Sequence, residues 1–151
     1  MRLTLYTDYA LRVLIHLALN DDRLCSISEV SRTYDASHSH LMKVVNSLAN
    51  DRFIETVRGR SGGMRLARPA DQIRVGDVVR RTEEGFNLAD CSGCALSPAC
   101  GLTGVLAEGM AAMMKVFDAY TIADLLTDRA TMRRLIDHQS PLGGDRFRAK
   151  P

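Results

Sequence analysis

Three stretches with apolar residues at helical spacing are followed at once by two short alternating stretches around a glycine-rich turn. The order helix, helix, helix, β-hairpin admits few folds. In the first stretch Tyr9, Leu11, Leu14, Ile15, Ala18 and Leu19 recur on one face over 8–19, and Thr7 is the expected N-cap. Arg12 and His16 interrupt the apolar run Ala10–Leu19 and no cleavage site follows, so it reads as a core helix and not a signal peptide. Ser26-Ile27-Ser28-Glu29 is a capping box opening a short helix on Ile27, Val30 and Tyr34. After the tight connection Tyr34–Ser37, a third helix is expected from about Ser37 to about Asn50, buried through Leu41, Val44, Val45 and Leu48. Phe53–Val57 and Met64–Ala67 read as strands around the turn 58–63, and Pro69 stops the second. A short helix should run from Val75 to about Glu83.

The expected fold class is mostly α (α+β): a winged helix-turn-helix with a β-hairpin wing and a long C-terminal dimerisation helix. The expected organisation is 1–83 winged helix-turn-helix, 84–101 cysteine-rich loop, 102–138 dimerisation helix and C-terminal helices, and 139–151 flexible tail.

Charge supports a nucleic-acid partner only when it is divided. Residues 1–82 hold 13 Lys/Arg against 9 Asp/Glu, while 83–151 hold 7 against 9. Within Arg52–Arg81 lie eight arginines and three acids, an excess that suits phosphate or a plain solvated surface. In a helix-turn-helix the N-terminal residues of the second helix meet base edges. Here they are Ser37, His38, Ser39 and His40, with Lys43 on the same outer face. Arg58, Arg60 and Ser61 sit on the glycine-rich hairpin tip, where an arginine can enter a minor groove. Each feature alone is weak; their order and the arginine excess together point to double-stranded DNA.

Cys91, Cys94 and Cys100 form a C-x2-C-x5-C pattern in a loop that enters a helix. Thiolates are soft ligands for zinc or iron–sulfur clusters, and a nearby helix N-terminus favours the thiolate. None of the four histidines (16, 38, 40, 138) is close in sequence. Spacing alone leaves zinc, a cluster, a redox dithiol and an empty loop open. Cys25 reads as a semi-buried structural thiol.

From about Ala99 to Tyr120 a broad apolar stripe includes Leu102, Val105, Leu106, Met110, Met113 and Phe117. Such a helix is ~30 Å long, more than one small domain covers, so a homodimer is expected. Thr121–Asp124 should open a short capped helix, and Arg129–His138 another. No apolar run reaches the ~18 residues needed to span a bilayer, and a cytoplasmic protein is expected.

These residues resemble the winged-helix regulators of the family that contains IscR, and within it the nitric-oxide-sensing NsrR branch. The resemblance covers roughly 1–127. It is carried by Met1-Arg2-Leu3-Thr4, Thr7–Arg12, Ile27–Val30, Leu41–Val45, Val57–Leu66, Ile73–Val79, the three cysteines and Tyr120–Leu125. It implies a homodimeric repressor on a near-palindromic operator, with an iron–sulfur cluster on Cys91, Cys94 and Cys100. It further implies a 4Fe–4S cluster, rather than 2Fe–2S, whose fourth ligand is Asp8 from the partner subunit, and nitric oxide as the signal. Asp8 would otherwise be a first-turn acid favouring the helix dipole. Two departures stand out: Thr103 occupies the place of the IscR branch's histidine, and the first two cysteines are closer together than in many relatives. The alternatives are a sensor of iron or cluster supply with the same ligands, and a zinc-stabilised winged helix. A thiol oxidoreductase on Cys91 and Cys94 would need a βαβ setting, and no such pattern is present. No nucleophile–base pairing of an enzyme is legible.

Overall fold

The computed structural model describes residues 2–86, 88–96 and 99–138. Its helices are α1 (Leu5–Leu19), α2 (Ile27–Tyr34), α3 (His38–Asn50), α4 (Val75–Thr82), α5 (Leu102–Ala119) and α6 (Arg129–His138). An antiparallel hairpin, β1 (Ile54–Val57) and β2 (Gly63–Leu66), follows α3, and 3-10 turns lie at Ala70–Gln72 and Ala123–Leu125. The expected tail 139–151 lies outside the described residues. No helix among the described residues is long and apolar enough to cross a membrane.

Helix α1 is the axis of the core. Its Val13, Leu14 and Leu17 are buried among Val30, Leu41, Leu48 and Ile54. Its start corrects the sequence expectation. Thr4, not Thr7, is the N-cap, and its Oγ1 accepts from the Thr7 amide at 3.2 Å. Leu5 and Tyr6 continue the helical face outward, while Thr7 is buried with its hydroxyl 3.1 Å from that of Thr4. Thr4 is itself fixed, donating its amide (2.8 Å) and hydroxyl (2.9 Å) to Glu83 Oε1.

At the other end of α1, α6 supplies caps. Arg129 Nη2 donates to Ala18 O at 2.8 Å and Arg133 Nε to Leu19 O at 2.6 Å. Cationic donors at a helix C-terminus satisfy carbonyls that have no intrahelical partner.

The wing pairs Ile54 with Leu66 and Val57 with Gly63. Gly63 therefore joins the return strand one residue earlier than expected, and Ala67 only completes the ladder by donating to Phe53 O at 3.0 Å. Cys25 flanks β2 on its other side, exchanging bonds with Met64 at 3.0 and 2.8 Å. The wing is thus pinned to the segment that leads into α2.

A smaller core joins α4 to α5 through Val75, Val79 and Met114. Gly76 permits this approach, since a Cβ there would lie 2.0 Å from Asp118 Oδ1. Asp118 receives both Arg80 amino groups, at 2.7 and 2.6 Å. The chain beyond α5 is tied down as well: Val75 N donates to Tyr120 O and Ile122 N to Ile73 O.

Candidate nucleic-acid interface and cysteine segment

The capping box forms as expected on its serine side, Ser26 Oγ accepting from Glu29 N at 3.1 Å. The Glu29 carboxylate is drawn elsewhere, to Arg23 and to His16 Nε2 at 3.2 Å. The turn between α2 and α3 relies on Asp35 in the left-handed region (φ 48°), which an aspartate tolerates better than most residues. Ser31 secures the turn, with its hydroxyl on Ala36 O at 2.7 Å and its carbonyl receiving Ala36 N at 3.0 Å. Ala36 is buried beneath it.

That turn sets the start of α3. Ser37, His38, Ser39, His40 and Lys43 are all exposed, while Leu41, Val44, Val45 and Leu48 face the core. Ser37 holds the N-cap position but makes no cap bond; its hydroxyl meets that of Ser39 at 3.0 Å. Both hydroxyls and both imidazoles therefore stand on the outer first turn. Arg58, Arg60 and Ser61 are exposed at the wing tip, where Gly59 (φ 116°) makes the bend. The expected DNA-facing residues thus occupy two exposed positions on one rigid frame, the start of α3 and the tip of the wing.

The cysteine segment is built differently. Cys91, Cys94 and Cys100 are free thiols; Cys91 is half-buried and the other two are exposed. Cys94 N donates to Cys91 O at 3.3 Å, closing a turn between the first two. Soft, accessible donors of this kind fit an iron–sulfur group. Among the described residues the three thiols do not gather within 4.8 Å of one another, as a single small ion would ask. Asp8 lies in the first turn of α1, where Arg12 Nε donates to it at 2.8 Å; its side chain is 41% exposed.

The segment feeds directly into α5. Leu102 and Val105 are 48% and 66% exposed, and Met114 is the helix's one buried residue. Met110, Met113 and Phe117 are half-buried against α4 of the same chain, and Leu106 is half-buried. The N-terminal half of α5 is the less covered part.

A third grouping escaped the sequence reading. His16, Cys25 and Glu29 place one ligand atom each within 4.8 Å. The three are spread over two helices and the strand-like segment between them, so no spacing motif announces them. The one available signal was a histidine on an apolar helix face.

Over residues 3–128 the chain matches the model of Rrf2, described as an iron-dependent transcriptional regulator. The chain belongs to the Rrf2 family. It is 45% identical over 142 residues to the HTH-type transcriptional regulator NsrR of Geobacillus kaustophilus, covering 90% of this chain and 97% of that one. The NsrR of Bacillus licheniformis is 43% identical over the same length, covering 90% and 99%. Among solved structures, T. potens IscR superposes with a TM-score of 0.72 at 23% identity over 88% of this chain and 91% of that one, a likeness of fold. The oxidised form of Staphylococcus aureus CymR gives 0.72 at 25% identity, over 85% and 98%. This Rrf2 member is a DNA-binding transcriptional regulator with a winged-helix fold, and not an enzyme.

Proposed function

We propose that this Rrf2 protein is a homodimeric repressor that holds an iron–sulfur cluster on Cys91, Cys94 and Cys100 and releases its operator in response to nitric oxide. The observation that carries the reading is the placement of three accessible thiols at the root of a helix its own chain leaves partly bare. The 43–45% identity to proteins named NsrR supports nitric oxide as the signal. Three thiols leave a four-iron cluster one ligand short, and Asp8 of the partner subunit is the proposed fourth. Thr103, in place of a histidine, favours the four-iron form over a two-iron one. When bound, the cluster would supply an iron site reactive toward nitric oxide, most open where the harder carboxylate replaces a thiolate.

The chain's own residues account for the rest. Arg12 competes for Asp8, so the carboxylate has a waiting partner whenever it is not a ligand. Leu102, Val105 and Leu106 are the proposed dimer seam, with Met110, Met113 and Phe117 linking that seam to α4. The pose of α5 then sets the spacing of the two α3 helices, which a near-palindrome reads one or more turns apart. Ser37, His38, Ser39, His40 and Lys43 would contact the major groove, and Arg58, Arg60 and Ser61 the adjacent backbone or minor groove.

The test is anaerobic purification with iron and sulfide counts, then operator binding before and after nitric oxide. Iron with equimolar sulfide, tight binding, and release on nitric oxide are expected. Release by an iron chelator but not by nitric oxide would favour a sensor of iron supply. A colourless, iron-free protein that still responds would overturn the reading.

A further inference from the structure

We propose that His16, Cys25 and Glu29 form a binding site for one divalent cation of zinc-like softness, separate from the cysteine segment and placed inside the winged helix. The three donors come from α1, the segment paired to β2, and the first turn of α2, with one ligand atom each within 4.8 Å. Around a tetrahedral zinc ion neighbouring donors sit about 3.6 Å apart, so small side-chain adjustments would bring all three onto one ion and leave its fourth position to a solvent water. A mixed nitrogen, sulfur and carboxylate set is one that zinc accepts.

The chemical state of each group suits the role. His16 is wholly buried; one ring nitrogen meets Glu29 and the other, Nδ1, is buried without a hydrogen-bond partner. Burial lowers its pKa, more than the hydrogen bond and charge of Glu29 raise it, so the ring is neutral and keeps a lone pair. Glu29 is ionised, its pKa drawn down to about 2, chiefly by the hydrogen bond from Arg23. Cys25 is a thiol, its pKa pushed up to about 11, mainly by burial. Binding would form a metal–sulfur bond and release the Cys25 proton to solvent.

Entry is by way of Glu29, whose side chain is 24% exposed, whereas that of His16 is 0% exposed. Arg23 donates to both carboxylate oxygens and so guards this opening. A bound cation would tie α1, the capping turn of α2 and the wing to one point. Loop-based iron chemistry has no part in this, so the two proposals fail separately.

The test uses the full chain with Cys91, Cys94 and Cys100 all changed to Ser, titrated anaerobically with Co2+. One equivalent should bind with a sulfur-to-cobalt charge-transfer band that Zn2+ displaces. Adding Cys25→Ser should abolish the band, and Arg23→Gln should tighten binding several-fold. A folded chain with no band, or a band that survives Cys25→Ser, overturns the proposal. Where Cys25→Ser unfolds the core, Glu29→Gln decides: affinity reduced by roughly tenfold or more supports the site, and unchanged affinity rejects it.

Discussion

The winged helix and the cysteine segment are opposite solutions to placing functional side chains. In the first, exposed polar residues stand on a frame packed around a buried apolar core, with α1 capped at its C-terminal end by α6 and α2 at its start by Ser26. In the second, the thiols sit in a loop that leads into a helix with one buried residue. A reading surface gains from rigidity within one chain. The sensing role proposed for the cysteine segment would gain from a loop left incomplete without cofactor and partner.

The widest separation between the regions should appear in a pair of variants. Leu14→Ala opens a cavity in the α1 core and should cost about 2–5 kcal/mol in urea unfolding. Replacing Cys91, Cys94 and Cys100 together by Ser should leave unfolding within about 0.5 kcal/mol of the iron-free parent chain while abolishing uptake of the proposed cluster. A large loss of stability in the iron-free variant would mean that the segment is part of the frame. Next, Gly76→Ala would drive a methyl into Asp118 and should destabilise by roughly 1–3 kcal/mol, read as a lower melting temperature.

Acid should weaken the frame in two stages. The folded His16 pKa lies below its ordinary 6.5, so protonation favours the unfolded chain and stability falls as pH drops below about 6.5. The folded Glu29 pKa is also depressed, so its contribution is present above 4.5 and is lost as pH falls from there toward about 2. A urea midpoint that stays flat between pH 7 and 5 would contradict the first stage. Ser26→Ala should cost about 1 kcal/mol through the lost cap of α2. Smallest for the fold, yet large for assembly, Leu102→Asp with Val105→Asp should leave the circular dichroism unchanged. Sedimentation should then report a monomer for this variant and the proposed dimer for the parent chain.

How much of this was legible follows from where the constraints lie. The apolar stripes of α1 and α3 and the alternation of the wing are local patterns, and they placed the elements within a few residues. The start of α1 was missed because Thr4 is secured by Glu83, a partner 79 residues away. His16 looked like an interruption because its environment is assembled by Cys25 and Glu29 from other elements. The cysteine pattern was visible outright, but three accessible thiols do not by themselves name the group they would hold. The exposed first turns of α5 agree with the mismatch between its apolar length and a small domain.

The bond from Thr4 to Glu83 has a mechanical corollary. Glu83 anchors the chain just ahead of the stretch that carries the thiols, Phe86 packs beside Leu3 on the smaller core, and the Asp8 amide donates to Thr4 O at 3.0 Å. Tension in that stretch is therefore delivered to the amino end of α1, one turn from the carboxylate proposed to reach the neighbouring subunit. Tether and outreach share a single load path, so slack in either is felt by both.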